Sequence, residues 1–457
     1  MSSADRGSGR GVVEETNAPS RSSRSTSGSP RSASTEGHSS GSPVRSHASR
    51  NEARSSSVSA QASTYMLIQP FPMCRRGPRH TPPIIISCGC RAILLPMSQP
   101  PAMSLSRRLP KALALTDRPT RLPHMELGDS TARFLGGEVD PAAFPSSAAD
   151  LWSGCDGTRP LESWGPADRE LIGRWHAAGL VVAAPSPRPA SAFSLTFVSP
   201  HPDDAQLALG STVFRFGGRV VDVFSHETWT RVPYYQDRPE LASRLLIEEE
   251  RVACHVLGAD LTLLGHLDGA NRPAWREGFL LGADAADEVR STEPELFERI
   301  TDDLDRELSD GSLVLAPLAV GGHVDHLLVR EAVCELVANK SVEPERVVFY
   351  EDMPYSLFTD AVVDTGRLSE RLGGPALTPV LIPGSPQSAE AKRESLWPYR
   401  LQVLETVANR IGRYGRNLME ADPTAGFAER VWVSADSARA VRELAAAARE
   451  DLSSPAE

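Results

Sequence analysis

Two short runs in this 457-residue chain hold residue types that ordinary folding needs do not explain. The first is SPHPDD, with His201, Pro202, Asp203 and Asp204. The second is GGHVDH, with His323, Asp325 and His326. Part of each run has a plain structural reading. Proline at the first position of a helix, with aspartates in its first turn, suits the unpaired amides and the positive end of the dipole. Asp325 could be a first-turn acid of the same kind. The histidines fit less easily, because a protonated imidazole is repelled by that end of a helix. Neutral imidazoles beside a carboxylate are what a metal ion takes: zinc binds two histidines and one carboxylate and leaves a fourth position for water. Both clusters at strand ends of one sheet predict a single metal centre.

Such residues meet only if the fold carries them to one place. From residue 193 the chain alternates strand-like and helix-like stretches. FSLTFVSP precedes a helix over 203–216, GRVVDVFSH a helix over 241–257 closed by Gly258, and DLTLLGH a helix near 293–308. SLVLAPLA precedes a helix over 325–338, ERVVFYED is a fifth strand and ERVWVS a late one. This alternation predicts an α/β fold, a Rossmann-like, mostly parallel sheet with helices on both faces. In open sheets of this kind the ligand crevice lies beyond the carboxyl ends of the strands. SPHPDD leaves the first strand and GGHVDH the fourth, so both fall at the expected crevice.

SPHPDDAQLALGS and PLAVGGHVDHLLVREAV resemble the two signature motifs of the PIG-L/LmbE-like zinc-dependent N-deacetylase family. EEERVACHVLGA, LGHLDGANR, FYEDMPYS and KRESLWPYRLQ resemble, in order, its acidic helix, the segment after the third strand, the fifth strand and the late helix. The resemblance covers about residues 193–433. It implies that His201, Asp204 and His326 are the zinc ligands and that Asp203 is the general base toward the metal-bound water. It makes His323 the group that supports the oxyanion or protonates the leaving amine, and Asp325 an acid that orients an imidazole. One carboxylate and two neutral imidazoles leave a divalent ion net positive, able to bring bound water to a pKa of about 7. A neighbouring carboxylate can then take the proton. The expected activity is removal of an acetyl or other acyl group from the amide nitrogen of an amino sugar or a sugar-containing metabolite. Iron(II) could occupy the same ligands. The alternatives are cleavage of a larger amide on the same scaffold, and a peptide-recruiting or scaffold protein with a vestigial deacetylase fold.

The chain departs from the family pattern in places. Ala205 stands where Glu often follows the two aspartates. Leu246 and Ile247, with Arg244 upstream, hold the place of an Arg that meets substrate. Asp268 reads either as a contact to a sugar hydroxyl or as an exposed loop acid. Trp229, Tyr234, Tyr235 and Trp275 fall in loops after the second and third strands, where rings either stack on a sugar or pack beneath the loops.

The rest of the chain is of other kinds. Up to Arg121 there are 17 Lys+Arg and 6 Asp+Glu; the remainder holds 31 and 53, a net of −22. An acidic body is repelled by polyanions, so neither nucleic acid nor an anionic membrane surface is an expected partner. No apolar run approaches 18 residues, so no membrane span is expected, and the run over 83–97 is broken by Arg91 and prolines. Residues 1–124 are expected to be a disordered low-complexity extension, and a start at Met103 or Met125 would account for them. Residues 125–190 read as a small accessory segment in which Leu171, Ile172 and Trp175 share a helical face and Gly179 ends the helix. They resemble a winged-helix leader-peptide-binding (PqqD-like) module, which implies a possible peptide partner; a helical unit packed on the main domain, at 193–445, is the other reading. Cys74, Cys88, Cys90, Cys155, Cys254 and Cys334 are spaced as unpaired thiols, which makes the cytoplasm the default location.

Overall fold

The computed structural model describes residues 85–88, 91–94 and 112–453, apart from 129–130, 141–143, 186–190, 276–277, 282–284, 358–367, 369, 373, 375 and 420–425. The expectations for residues 1–60 and for Met103 lie outside the described residues. Ile85–Cys88 (β1) and Arg91–Leu94 (β2) pair antiparallel.

Arg118–Arg121 (β3) opens a small unit. Met125–Leu127 (β4), Ala132–Phe134 (β5) and Gly137–Glu138 (β6) form a three-stranded antiparallel sheet. Ala149–Gly154 (α1) and Pro166–Ala177 (α2) follow, and Val181–Ala184 (β7) returns to pair antiparallel with β3. The unit therefore begins upstream of Met125: residues 118–124, assigned by sequence to the extension, supply a strand and the buried Leu122 and His124. The inward face of α2 is the one its spacing predicts. Ile172 and Trp175 are buried, and Trp175 lies 5.3 Å from both Phe144 and Trp152. Gly179 takes φ 72° just past the helix, with the Leu180 amide donating back to the Trp175 carbonyl.

The main sheet is built from Leu195–Ser199 (β8), Arg219–Asp222 (β9), Asp260–Leu263 (β10), Leu313–Pro317 (β11), Val347–Tyr350 (β12), Thr378–Gly384 (β13) and Phe427–Val433 (β14). Its helices are Asp204–Phe216 (α3), Pro233–Gln236 (α4), Pro239–Leu257 (α5), Ala286–Thr292 (α6), Pro294–Glu307 (α7), Val324–Ala338 (α8), Pro386–Ser395 (α9), Glu405–Asn417 (α10) and Ala438–Ser453 (α11). The strand order is β10-β9-β8-β11-β12-β14-β13. The first five are parallel, as expected; β14 and β13 close one edge antiparallel. The sequence gives little sign of β13, whose two prolines an edge strand tolerates and a central one does not. One face of the sheet buries α7 and α8, the other α3 and α11. Among the described residues no helix is long and apolar enough to cross a membrane. Cys155, Cys254 and Cys334 are buried free thiols.

Chain order reverses between β8 and β11, which lie side by side. Loops leaving the two strands diverge in opposite directions at such a switch point and open a crevice. His201 follows β8 and His323 follows β11.

Candidate active site

The turn after β8 is tied by its own residues. Ser199 Oγ donates to the His201 carbonyl at 2.7 Å and accepts from the Ala205 amide at 3.2 Å, while the His201 amide donates to Asp204 Oδ2 at 2.9 Å. Asp203 then takes φ 103°, a left-handed conformation that costs a non-glycine residue about 1–3 kcal/mol. Its amide is aimed at Glu250 Oε2 on α5, 3.0 Å away. Glu250 is fully buried and also accepts from Gln206 at 2.5 Å, from Tyr399 at 2.5 Å and from Cys254 at 3.2 Å.

Tautomers follow from the partners of each ring. His201 Nε2 lies 2.8 Å from Asp325 Oδ2, and His326 Nδ1 lies 2.5 Å from Asp352 Oδ1. Carboxylates only accept, so a neutral ring that donates to Asp325 or Asp352 turns a lone pair the other way. His201 Nδ1 and His326 Nε2 are thus left facing Asp204 Oδ2, at 3.1 and 3.2 Å. His326 Nε2 is buried without a hydrogen-bond partner. Two lone pairs and a carboxylate oxygen meet with no proton among them, an arrangement that calls for a cation. Without one, the rings themselves must protonate. Burial opposes this, but hydrogen bonds from Asp204 and Asp325 push His201 well above the usual histidine range, and Asp204 with Asp352 pushes His326 up to about 9. The donor set fits a divalent ion with two neutral imidazoles and one carboxylate.

His323 does something different. Its Nδ1 accepts the Asp325 amide at 3.2 Å, so the neutral ring caps α8, a role the dipole forbids only to the protonated form. The proton is then on Nε2, which makes that nitrogen a donor. Burial holds the ring well below the usual range and so keeps it neutral. One nitrogen of each of His201, His323 and His326 lies within 4.8 Å of the others, so the His323 ring stands beside the cation position.

Asp325 is the hinge between the two runs. Besides His201, its Oδ2 accepts the Gly269 amide at 2.7 Å, and its Oδ1 accepts Arg272 Nη1 at 2.6 Å. Burial would raise its pKa, yet these donors hold it far below the carboxylate range. Asp352 accepts the Val320 amide at 2.8 Å and fixes His326 in the same way. By contrast Asp203 is pushed well above its ordinary value, by burial and by the charges of Asp204 and Glu227. A carboxyl with raised proton affinity beside the cation position is what a general base needs.

The structure brings together all six residues of the two runs. Asp268 is buried, which removes the exposed-loop alternative, and its Oδ1 accepts from Asn271 at 2.5 Å. Three of the four aromatic residues do not line a mouth. Tyr235 is fully buried, half-buried Tyr234 donates to Glu126 and covers Gly136, and Trp275 donates to Glu293; Trp229 is half-buried. Leu246, at the position of the absent Arg, is buried in the core that α5 shares with the small unit. Sequence reasoning missed Asp352, Arg272, Glu250 and Glu227. The carboxyl-end rule would have found Asp352, directly after β12, and Glu227, in the loop after β9.

No family model matches the chain. A 2′-N-acetylparomamine deacetylase of Streptomyces fradiae is 35% identical over 184 residues, 38% of this chain and 62% of that relative. The chain thus spans under two thirds of the relative's length. Among solved structures, a deacetylase of the teicoplanin biosynthesis pathway is 20% identical at a TM-score of 0.41, over 54% of this chain and 100% of that one. An A40926 pseudoaglycone deacetylase is 20% identical at a TM-score of 0.40, over 54% and 98%. The resemblance of the chain to the PIG-L/LmbE-like deacetylases stands.

Proposed function

We propose that the chain is a zinc-dependent hydrolase that removes an acetyl group from the amide nitrogen of an amino sugar or sugar-containing metabolite. The observation that carries this reading is the convergence of His201 Nδ1 and His326 Nε2 on Asp204 Oδ2, with a further carboxylate at the other nitrogen of each ring. The relative named for deacetylation of 2′-N-acetylparomamine supports the substrate class. The complete donor set, with its supporting carboxylates, argues against a vestigial scaffold.

His201, Asp204 and His326 would hold the ion. Bound there, a divalent ion supplies Lewis acidity, acidifying water and polarising the amide carbonyl. Asp203 takes the proton of the attacking water and passes it to the departing amine nitrogen. His323 offers its Nε2–H to the oxyanion as charge develops. Asp325 and Asp352 keep the two ligand rings in the required tautomers.

The test is acetate release from N-acetylglucosaminyl compounds by purified protein, set against longer acyl chains. Asp203→Asn should lower kcat at least about 100-fold while the metal content holds. Full activity in that variant, with metal present, would remove Asp203 as the base.

A further inference from the structure

Pairing between β9 and β10 does not stop at the strand ends. His226 and Leu267 form a further parallel bridge, and the Asp268 amide donates to the His226 carbonyl at 3.3 Å. The next residue on each chain is an acid. Glu227 and Asp268 are therefore neighbours across the bridge, at the carboxyl edge of the sheet, where the crevice opens. They are only 9% and 4% exposed. Glu227 accepts from Gln402 Nε2 at 2.6 Å, but its Oε2 is buried and has no partner. Among the described residues, no Lys or Arg forms an ion pair with either acid. Arg272, whose charge reaches Asp268, donates to Glu293, Asp325 and the Leu267 carbonyl.

Burial pushes Glu227 up to about 8; the His201 charge opposes the rise and Asp268 adds to it. Adjacent buried carboxyls of this kind lack one positive charge. A sugar hydroxyl donates one hydrogen bond and leaves the repulsion in place. A primary ammonium has three donors and a charge, and it can bond both acids at once. The pair also adjoins the reaction centre, since Gly269, next to Asp268, donates to the Asp325 that holds His201.

We infer that Glu227 and Asp268 form an ammonium subsite, so that the substrate carries a free amino group in addition to the acetamide it loses. This rests on the deacetylase reading and narrows it to cationic amino sugars.

Two disaccharides of equal size separate charge from shape: N-acetylglucosaminyl-glucosamine, with one free amine, and its neutral diacetylated form. The metal-loaded enzyme should show a kcat/KM at least tenfold higher for the amine, carried by KM. Glu227→Gln and Asp268→Asn should each reduce that ratio several-fold toward one. Equal kcat/KM for the two sugars in the unaltered enzyme overturns the subsite, whatever the variants do. If neither sugar is deacetylated, the failure lies with the proposed reaction. Calorimetry with the fully deacetylated disaccharide then decides the subsite: binding at least tenfold tighter than the neutral sugar, weakened by Glu227→Gln, supports it, and equal binding overturns it.

Discussion

Which nitrogen of each histidine carries the proton decides the chemistry of the site, and that is set by acids lying elsewhere in sequence. Asp352 is the clearest instance. It touches no expected reacting atom, yet by holding His326 Nδ1 at 2.5 Å it aims the opposite lone pair at Asp204. Removing such support typically costs 10–100-fold in metal affinity. Asp352→Asn is therefore expected to raise the zinc dissociation constant by about that factor, read by competition with a fluorescent chelator; unchanged affinity would mean that His326 is oriented by something else. The two runs were legible in the sequence because their histidines are a residue type that folding alone does not require at a helix start. Asp352, Arg272 and Glu250 were not, because each acts on a partner distant in the chain and none has a spacing of its own. The hints were the FYED run, an acid directly at a carboxyl strand end, and the EEERVACHVLGA and LGHLDGANR runs that resemble family segments.

Helix α5 carries two adjacent buried acids that reach different parts of the molecule. Glu249 lies 2.6 Å from His124 of the small unit, and Glu250 holds the Asp203 amide. The second contact steadies a backbone that would otherwise relax out of its left-handed conformation. Glu250→Gln puts an amide donor among the donors of Asp203, Gln206 and Tyr399. Displacement of a reacting group by about 1 Å can cost 100-fold, so kcat should fall about 10–100-fold with KM and metal content nearly unchanged. A rise in KM alone would place Glu250 in substrate binding instead. At this scale the sequence predicted the helices closely, since α3, α5, α7 and α8 each begin within two residues of the expected start. It assigned nothing at β13, whose two prolines an edge strand tolerates.

The small unit and helix α5 share one hydrophobic core. Trp152, Trp175 and Leu180 share a core with Tyr235, Leu245, Leu246 and Leu401. The sequence disclosed the inward face of α2 but not this joint core, because β3 lies in a stretch of unremarkable composition. Acid should strain the whole assembly through His176, whose buried ring is held down to about 4 by desolvation. The unfolded ring binds its proton near pH 6.5 and the folded ring only near 4. Between those values the unfolded chain holds more protons, so stability is complete above pH 6.5 and falls as the pH drops. The His176 share of the loss should reach about 2 kcal/mol at pH 5 in urea titrations, and His176→Leu should lessen the acid slope by that share; an equal acid slope in that variant would clear His176. The central claim concerns the molecule as a metalloprotein. After zinc exchange and desalting, elemental analysis should find about one zinc per chain in the unaltered protein and less than about a tenth of that in both His201→Ala and His326→Ala. Full zinc in the two variants would contradict a shared ion between those rings.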